Sequence, residues 1–269
     1  MRYLKDKRRR AMPHNTNVVS LVSVGRHPQS GRSRRADQDG RAVELGLKLA
    51  NKALTVVHAG NAEEPVLRQY AGMGLPSLTV LAQKSDCDAL PVLVAFLQEN
   101  EASLVLTGVR AENGESSGML PYLLAEQLGW PLVPRVADIL SINEGEAEVL
   151  LALPRGQRRA LTVKLPFIAS VDNAAQEARQ TAFGPGLRAE LKIVDVDSVV
   201  DAVASQWQLS VAKPRPKRLK VVKAKTAADR MKAATAKPVG GGGKVMKNET
   251  SSEKAHAIFD LLLEEKVVR

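Results

Sequence analysis

Cysteine is almost missing from this 269-residue chain, in which Cys87 stands alone. With one thiol per copy, neither an internal disulfide framework nor a cysteine-based zinc site can form, and a reducing cytoplasm is the natural setting. Aromatic residues make up only 3%, which does not support a base-stacking surface of the kind that grips single-stranded nucleic acid. No apolar run approaches the roughly 18 to 20 residues needed to cross a bilayer. The first ten residues, MRYLKDKRRR, are basic, but Ala11, Met12, Pro13, His14 and Asn15 follow in place of an apolar stretch. That order argues against a secretory leader and for a loose arm. The four histidines, at positions 14, 27, 58 and 256, have no second ligand at metal spacing.

What the chain does have is a 44% hydrophobic content dominated by Ala, Val and Leu, enough for one sizeable core plus appendages. Its net charge of +10 is concentrated at one end. Residues 213–248 hold twelve Lys and Arg against the single acid Asp229, so the rest of the chain is near neutral. Such a tail can bind phosphates without reading sequence, serve as a solvated connector, or lie on an acidic partner. No DNA- or RNA-binding motif accompanies it, so a specific nucleic-acid function is not expected.

Strand and helix alternate through the first half. Residues 17–24 (NVVSLVSV) read as a buried first strand. Residues 26–35, with Pro28, Gly31 and several arginines, read as a mobile loop entering a helix that Asp37 or Asp39 caps. In that helix Val43, Leu47 and Ala50, with Leu45 and Leu49 beside them, keep the helical spacing. A second strand over 53–58 stops at Ala59 and Gly60. A helix over 63–73 ends at Gly74. A strand over 77–81, an amphipathic helix over 87–100 and a fourth strand over 103–107 follow. After Pro131, residues 133–140, 148–153 and 159–164 read as antiparallel strands and hairpins, and 166–171 supplies one more strand. The expected fold is α/β, a mostly parallel sheet flanked by helices, with an antiparallel extension and a long C-terminal arm.

In that fold ligands bind beyond the carboxyl ends of the strands, and three strand ends carry the right chemistry: residues 23–25, 59–61 and 108–118. The last belongs to the segment 104–131 (LVLTGVRAENGESSGMLPYLLAEQLGWP), an apolar strand, a Gly- and Ser-bearing loop and a helix. Unpaired N–H groups at such a helix start favour anions. Ser116 and Ser117 read as helix caps or phosphate donors. Glu112 and Glu115 read as solvated loop residues and not as a general acid–base pair. The loop is neither a Walker A sequence nor G-x-G-x-x-G, and no G-x-S-x-G elbow frames the serines, so nucleotide hydrolysis is unsupported. On spacing alone the loop is either a nucleotide cradle or a structural turn. Cys87 reads as a buried or helix-start residue.

Beyond residue 195 the character shifts. Residues 196–203 read as a short helix, and 213–247, Lys-rich with Gly240 to Gly243, as extended or flexible chain. Thr250, Ser251, Ser252 and Glu253 form a capping box. It opens a helix whose stripe of Ala255, Ile258, Phe259 and Leu262, ending at Val267, must be buried on its own body or on a partner. The expected domains are a basic arm over 1–16, a nucleotide-binding domain over 17–195, a basic linker over 196–249 and an amphipathic docking helix over 250–269.

The segment 104–131 resembles electron transfer flavoprotein beta subunits, in which a strand ends in glycine, an alanine-led polar loop follows, and a helix closes on Leu-Gly-Trp-Pro, here Leu128, Gly129, Trp130 and Pro131. Ala42, Val43, Glu44 and Leu47 resemble the family's first helix, and residues 57–60 its glycine-ended second strand. Val163, Lys164, Leu165 and Pro166 are similar to its V-K-L-P strand, and Arg179 to an arginine of its asparagine/proline-arginine loop. The resemblance covers about residues 17–195. It implies an adenine nucleotide alpha hydrolase-like fold. It also implies a cytoplasmic electron-carrier subunit, not an enzyme by itself, paired with an alpha subunit that carries most contacts to a shared, redox-active FAD. This chain would hold AMP or, in some members, a second FAD. Carried over by position, the nucleotide contacts would be Ser23, Ala59, Gly60, Arg110, Ala111, Glu112, Asn113, Ser116, Ser117 and Gly118.

The implied role is electron transfer from a flavin dehydrogenase to a membrane quinone reductase. The loop is shorter than the usual family version and lacks its Asp-x-Asp and Gln elements. Ala36 and Asp37 replace an asparagine-proline element, and in residues 181–190 (TAFGPGLRAE) Leu187 corresponds to the family's exposed docking leucine. With the basic tail, these departures suggest a divergent branch, one whose dehydrogenase or oxidase acts on methylated amines. The alternative is a stand-alone adenine-nucleotide-binding regulatory protein on the same architecture.

Overall fold

The computed structural model describes residues 16–208, 210–212, 226–235 and 246–264. The chain divides into two compact units, Met1–Gln208 and Leu209–Arg269. In the first unit strands β1 (Val18–Leu21), β2 (Val24–Arg26) and β3 (Ser33–Arg35) lead into helix α1 (Asp37–Ala50). Then come β4 (Thr55–Gly60), α2 (Leu67–Ala71), β5 (Ser77–Ala82), α3 (Ala89–Glu99), β6 (Leu104–Gly108) and α4 (Leu120–Leu128). The second half supplies β7 (Leu132–Asn143), β8 (Glu146–Ala152), β9 (Arg158–Lys164), β10 (Phe167–Val171), α5 (Phe183–Arg188) and β11 (Glu190–Asp195).

All but β2 and β3 join one nine-stranded sheet in the order β11-β5-β4-β1-β6-β10-β7-β8-β9. Every pairing from β11 to β7 is parallel, and β7–β8 and β8–β9 are antiparallel. The central parallel strands β1, β6 and β10 are buried along their whole length and are near-continuous apolar runs, because both of their faces are covered. Alternate residues take opposite sides. Val18, Leu104 and Leu106 pack with Val43, Leu47 and Tyr70 of α1 and α2, whereas Val19, Val105 and Ile168 pack with Val92, Leu93, Leu97 and Leu124 of α3 and α4. The chain winds from β1 through β4 to β5, then crosses back to β6 on the other side of β1. The gap between the β1 and β6 ends is therefore the topological switch point, where this architecture opens a crevice.

Several expected elements differ. The first strand stops at Leu21, because the Ser23 N–H and hydroxyl turn to Asp39 at 2.8 and 2.5 Å. The expected loop over 26–35 is an antiparallel hairpin, with Val24 opposite Arg35 and Arg26 opposite Ser33. Neither Asp37 nor Asp39 caps α1; Ala36 holds that position with no side-chain bond. The expected helix over 63–73 shrinks to α2, since the Asn61 side chain takes the Glu63 N–H at 3.0 Å and Pro65 has no N–H to give. Residues 196–203 are not a helix; Val200 instead bridges to Cys87.

The second unit contains α6 (Ala227–Thr235) and α7 (Ser251–Glu264). The capping box is formed: Glu253 accepts from the Thr250 N–H and hydroxyl, each at 2.8 Å, and the Glu253 N–H returns to the Thr250 hydroxyl at 3.4 Å. Ile258, Phe259, Leu261 and Leu263 of α7 are exposed. Residues 1–15 of the expected arm over 1–16, most of the Lys-rich stretch and the stripe's end at Val267 lie outside the described residues.

Candidate functional site

Two loops meet at the switch point, and side chains from α1 tie them down. Asp39, on the first turn of α1, reaches across both strand ends. One of its oxygens accepts from Ser23 of the β1 end, and the other accepts from the Gly108 N–H at 3.2 Å at the β6 end. Gly108 is glycine because the carboxylate lies on it: a Cβ there would collide with Asp39 Oδ1. One residue earlier, Gln38 Oε1 accepts from the N–H groups of Val109 and Arg110 at 3.1 and 3.2 Å. Beneath them the fully buried Tyr70 donates its hydroxyl to the Ser23 carbonyl at 2.8 Å and accepts from the Ala36 N–H at 3.0 Å. Burial, with the Asp39 charge adding to it, pushes the Tyr70 phenol well above 10, so it stays protonated.

The loop after β6 is held from one side and open on the other. Glu112 turns away from the cavity to α1: its carboxylate is gripped by Arg34 with two bonds of 3.0 Å and accepts the otherwise unpaired Asp37 N–H at 2.8 Å. A carboxylate at a helix N-terminus is favoured by the helix dipole, so Glu112 does for α1 what its own capping residue does not. Past Glu112 the loop turns through left-handed conformations at Gly114, Ser116 and Gly118. The Ser117 hydroxyl accepts the Met119 N–H at 3.1 Å just ahead of α4, which begins with no side-chain cap of its own.

A cavity of about 430 Å³ opens across these strand ends, within the 300–1,000 Å³ range of ligand pockets. Ser23, Ala59, Gly60, Arg110, Ala111, Asn113, Ser116, Ser117 and Gly118 all line it. Of the residues expected at the site, Glu112 alone is absent from the lining, because its carboxylate is spent on Arg34 and α1. Across the strand ends lie Gln83, Lys84 and Ser85 after β5, and Cys87, Leu90 and Leu93 of the α3 region. Cys87 is half-buried there and Asp88 caps α3, accepting from the Leu90 N–H at 2.9 Å. Among the described residues no group of His, Cys, Asp and Glu is placed to hold a metal, and no helix is long and apolar enough to cross a membrane.

Two buried titratable residues of the cavity wall, among the lining residues that the sequence reading did not place there, carry shifted protonation equilibria. Asp39 is only 5% exposed, and burial raises its carboxyl from 3.8 to about 6 against the pull of the Ser23 and Gly108 hydrogen bonds. His58 is buried at the end of β4, with Nδ1 2.9 Å from the Val22 carbonyl, and burial keeps its ring below the usual histidine range. A neutral ring in that contact carries its proton on Nδ1 and donates it. A signal existed for His58, a polar residue inside the apolar run ALTVVH. None existed for Asp39, whose charge reads as a helix-start preference.

Sheet, switch point and cavity together define an α/β protein with a ligand-sized crevice at the carboxyl ends of its parallel strands. Residues 29–199 match the family described as electron transfer flavoprotein domain. Over 262 residues the chain is 49% identical to the electron transfer flavoprotein subunit beta of Chromohalobacter salexigens, covering 96% of this chain and 98% of that protein. Over 150 residues it is 27% identical to a protein of Escherichia coli provisionally described as electron transfer flavoprotein subunit YgcR, covering 52% of this chain and 54% of that one. The chain belongs to the electron transfer flavoprotein family, as a subunit of the beta type.

Proposed function

We propose that this chain is the electron-carrying complex's beta subunit, that it pairs with an alpha subunit in the cytoplasm, and that it holds a structural AMP in the cavity at its strand ends. The observation that carries the reading is the 49% identity to a beta subunit along almost the whole of both chains. The redox FAD is bound mainly by the alpha subunit, and when bound it supplies the electron-accepting and electron-donating chemistry. This chain contributes a scaffold and a docking surface and catalyses nothing by itself. The electron source is a soluble flavin dehydrogenase, with dehydrogenases of methylated amines the first to assay, and the acceptor is a membrane quinone reductase.

The cavity's chemistry fits a nucleotide. Arg110 and Lys84 supply positive charge, Ser116 and Ser117 supply hydroxyls, and Leu90 and Leu93 give an apolar wall for a base. Gly118 keeps the backbone close, since a Cβ there would stand 2.9 Å from the Val109 carbonyl. A volume of about 430 Å³ favours a mononucleotide over the larger FAD. On this reading Ser23, Ala59, Gly60, Arg110, Ala111, Asn113, Ser116, Ser117 and Gly118 face the nucleotide, and Glu112 braces their loop from behind.

The test is co-expression with the neighbouring genes of its source genome. The expected product is a yellow one-to-one complex from which FAD and AMP are extracted in equal amounts and identified by mass, whereas the chain expressed alone carries no flavin. A stable monomer that never pairs would overturn the reading; if that monomer retained AMP, it would support a stand-alone nucleotide-binding regulator instead.

A further inference from the structure

The antiparallel extension carries opposite charge at its two ends. Around the turn from β7 to β8 stand Glu144, Glu146 and Glu148, whereas the turn from β8 to β9 reads Pro154, Arg155, Gly156, Gln157, Arg158 and Arg159. Register sets the two ends six residues of strand, about 20 Å, apart, since Glu146 faces Lys164 and Ala152 faces Arg158. Arg155 and Gly156 both take left-handed backbone, and every residue from Pro154 to Ala160 is exposed. Among the described residues no ion pair takes up any of the three arginines. Arg158 gives one N–H to the Gln157 carbonyl at 3.0 Å, which leaves most of its fork free.

Beside this turn lies a recess of about 250 Å³, between α1, strands β7 and β8 and the loop after β10. Its charged lining is Arg41, Glu44, Lys48, Asp138 and Arg158. Four of these are already matched: Glu44 with Arg179, Lys48 with Asp138, and Arg41 with Asp37 and the Ala175 carbonyl. Arg158 is the ion of the wall without a counter-charge. The recess is below the size of an ordinary ligand pocket and suits a single acidic side chain. Cations on an edge strand also blunt it against wrong pairing. That accounts for Arg159 and Lys164 of β9, but not for Arg155 on the turn or for the recess.

Charge and one small recess make a weak contact, which acts by speeding and orienting an encounter more than by holding it. A lasting subunit interface is larger and more apolar, and α7 offers exposed apolar residues for one. An electron carrier also needs a partner that arrives quickly and leaves. Nucleic acid is a poorer fit, because no aromatic residue flanks the turn to stack on a base. We propose that the β8–β9 turn is the electrostatic docking point of the soluble electron donor, an acidic segment of which seats one carboxylate on Arg158 in the recess while Arg155 and Arg159 draw it in. This rests on the electron-carrier reading above and adds the surface at which the donor lands.

Two measurements test it. First, octaglutamate is titrated into the isotope-labelled full-length chain and followed by NMR, which separates this turn by position from the basic tail. The amides of residues 154–160 should shift saturably, and the shifts should fade as salt rises to about 0.5 M. Arg158→Gln should bind at least about tenfold more weakly at this turn, since a carboxylate on a guanidinium is a charge-assisted pair. Absence of shifts at the turn would overturn the proposal, as would equal shifts with inorganic phosphate at the same ionic strength, which would mark a site for free small anions. Shifts that vanish once the alpha subunit is bound would also overturn it, because the occupant would then be that subunit.

Second, the flavin-bearing complex is mixed in a stopped flow with a dehydrogenase that reduces it. R155Q/R158Q/R159Q should lower the second-order rate constant at least about tenfold at low salt and by less than about twofold near 0.5 M. Removing the same charge from the tail, as Lys220→Gln, Lys223→Gln and Lys225→Gln, should leave the rate within about twofold, and reduction by dithionite should be the same in every complex. Equal rates for parent and turn variant would overturn the proposal, and so would an equal loss in the tail variant, which would trace the effect to net charge. If no flavin-bearing complex forms, the electron-carrier reading fails and the donor contact falls with it, a result distinct from a complex whose reduction ignores the turn.

Discussion

Asp39 carries a charge that the fold makes costly. Its carboxyl is raised from 3.8 to about 6 by burial, with Glu112 adding to the push. Because the folded value lies above the unfolded one, the native state holds the proton more tightly, so stability rises as pH falls through about 6 and levels off below 3.8. The ionised form at pH 7 costs roughly 3 kcal/mol by that difference. Urea unfolding of the parent and of D39N from pH 7 to pH 4 should therefore show the parent gaining relative to the variant, whose residue 39 does not titrate. A constant difference would mean that Asp39 is not a buried ionised group. Glu44 runs the opposite way. Burial raises its carboxyl, but the Arg179 bonds of 2.7 and 2.8 Å outweigh that and hold it below 4.5. The roles of Glu112 and Asp39 were not legible in the sequence, since each acts on backbone brought alongside by the sheet, 75 and 69 residues away in the chain.

Among the elements, the loop from Gly108 to α4 is where conformation and ligand contact coincide. Gly118 has φ +77° and no room for a side chain beside Val109, so Gly118→Val should cost about 1–2 kcal/mol in backbone strain. It should also weaken AMP binding by about tenfold, measured on the full chain; unchanged affinity would remove this loop from the site. The strands and helices around it were readable because buried parallel strands are short apolar runs and the helices between them keep a 3.6-residue period. The β2–β3 hairpin was not, because its six residues (VGR and SRR) are polar and Gly-bearing, and their pairing is visible only as register. Nor did periodicity show that the antiparallel strands continue the main sheet, a fact that depends on β10 pairing with β7 at Leu132 and Val133.

For the whole molecule, the exposed apolar residues of α7 remain to be accounted for. Ile258 is 60% and Phe259 50% exposed, although the helix is properly started by its capping box. Such a stripe is costly to leave in water, and in the heterodimer reading it docks on the alpha subunit. A chain ending after Lys247 should keep its main sheet and bind the alpha subunit at least about tenfold more weakly in a co-purification titration; unchanged assembly would reject that role. The amphipathic pattern of the terminal helix was evident from its residues, whereas its partner is a property of a second chain.

The position of β10 has a consequence for how the protein is made. Phe167–Val171 is late in the chain yet lies between β6 and β7 near the middle of the sheet. A ribosome that has not yet released these residues presents β6 and β7 as two separate open edges, each a template for wrong pairing. Joining of the two halves of the sheet therefore waits on synthesis past Val171, and until then the emerging chain is a client for whatever shields unpaired strands in the cell.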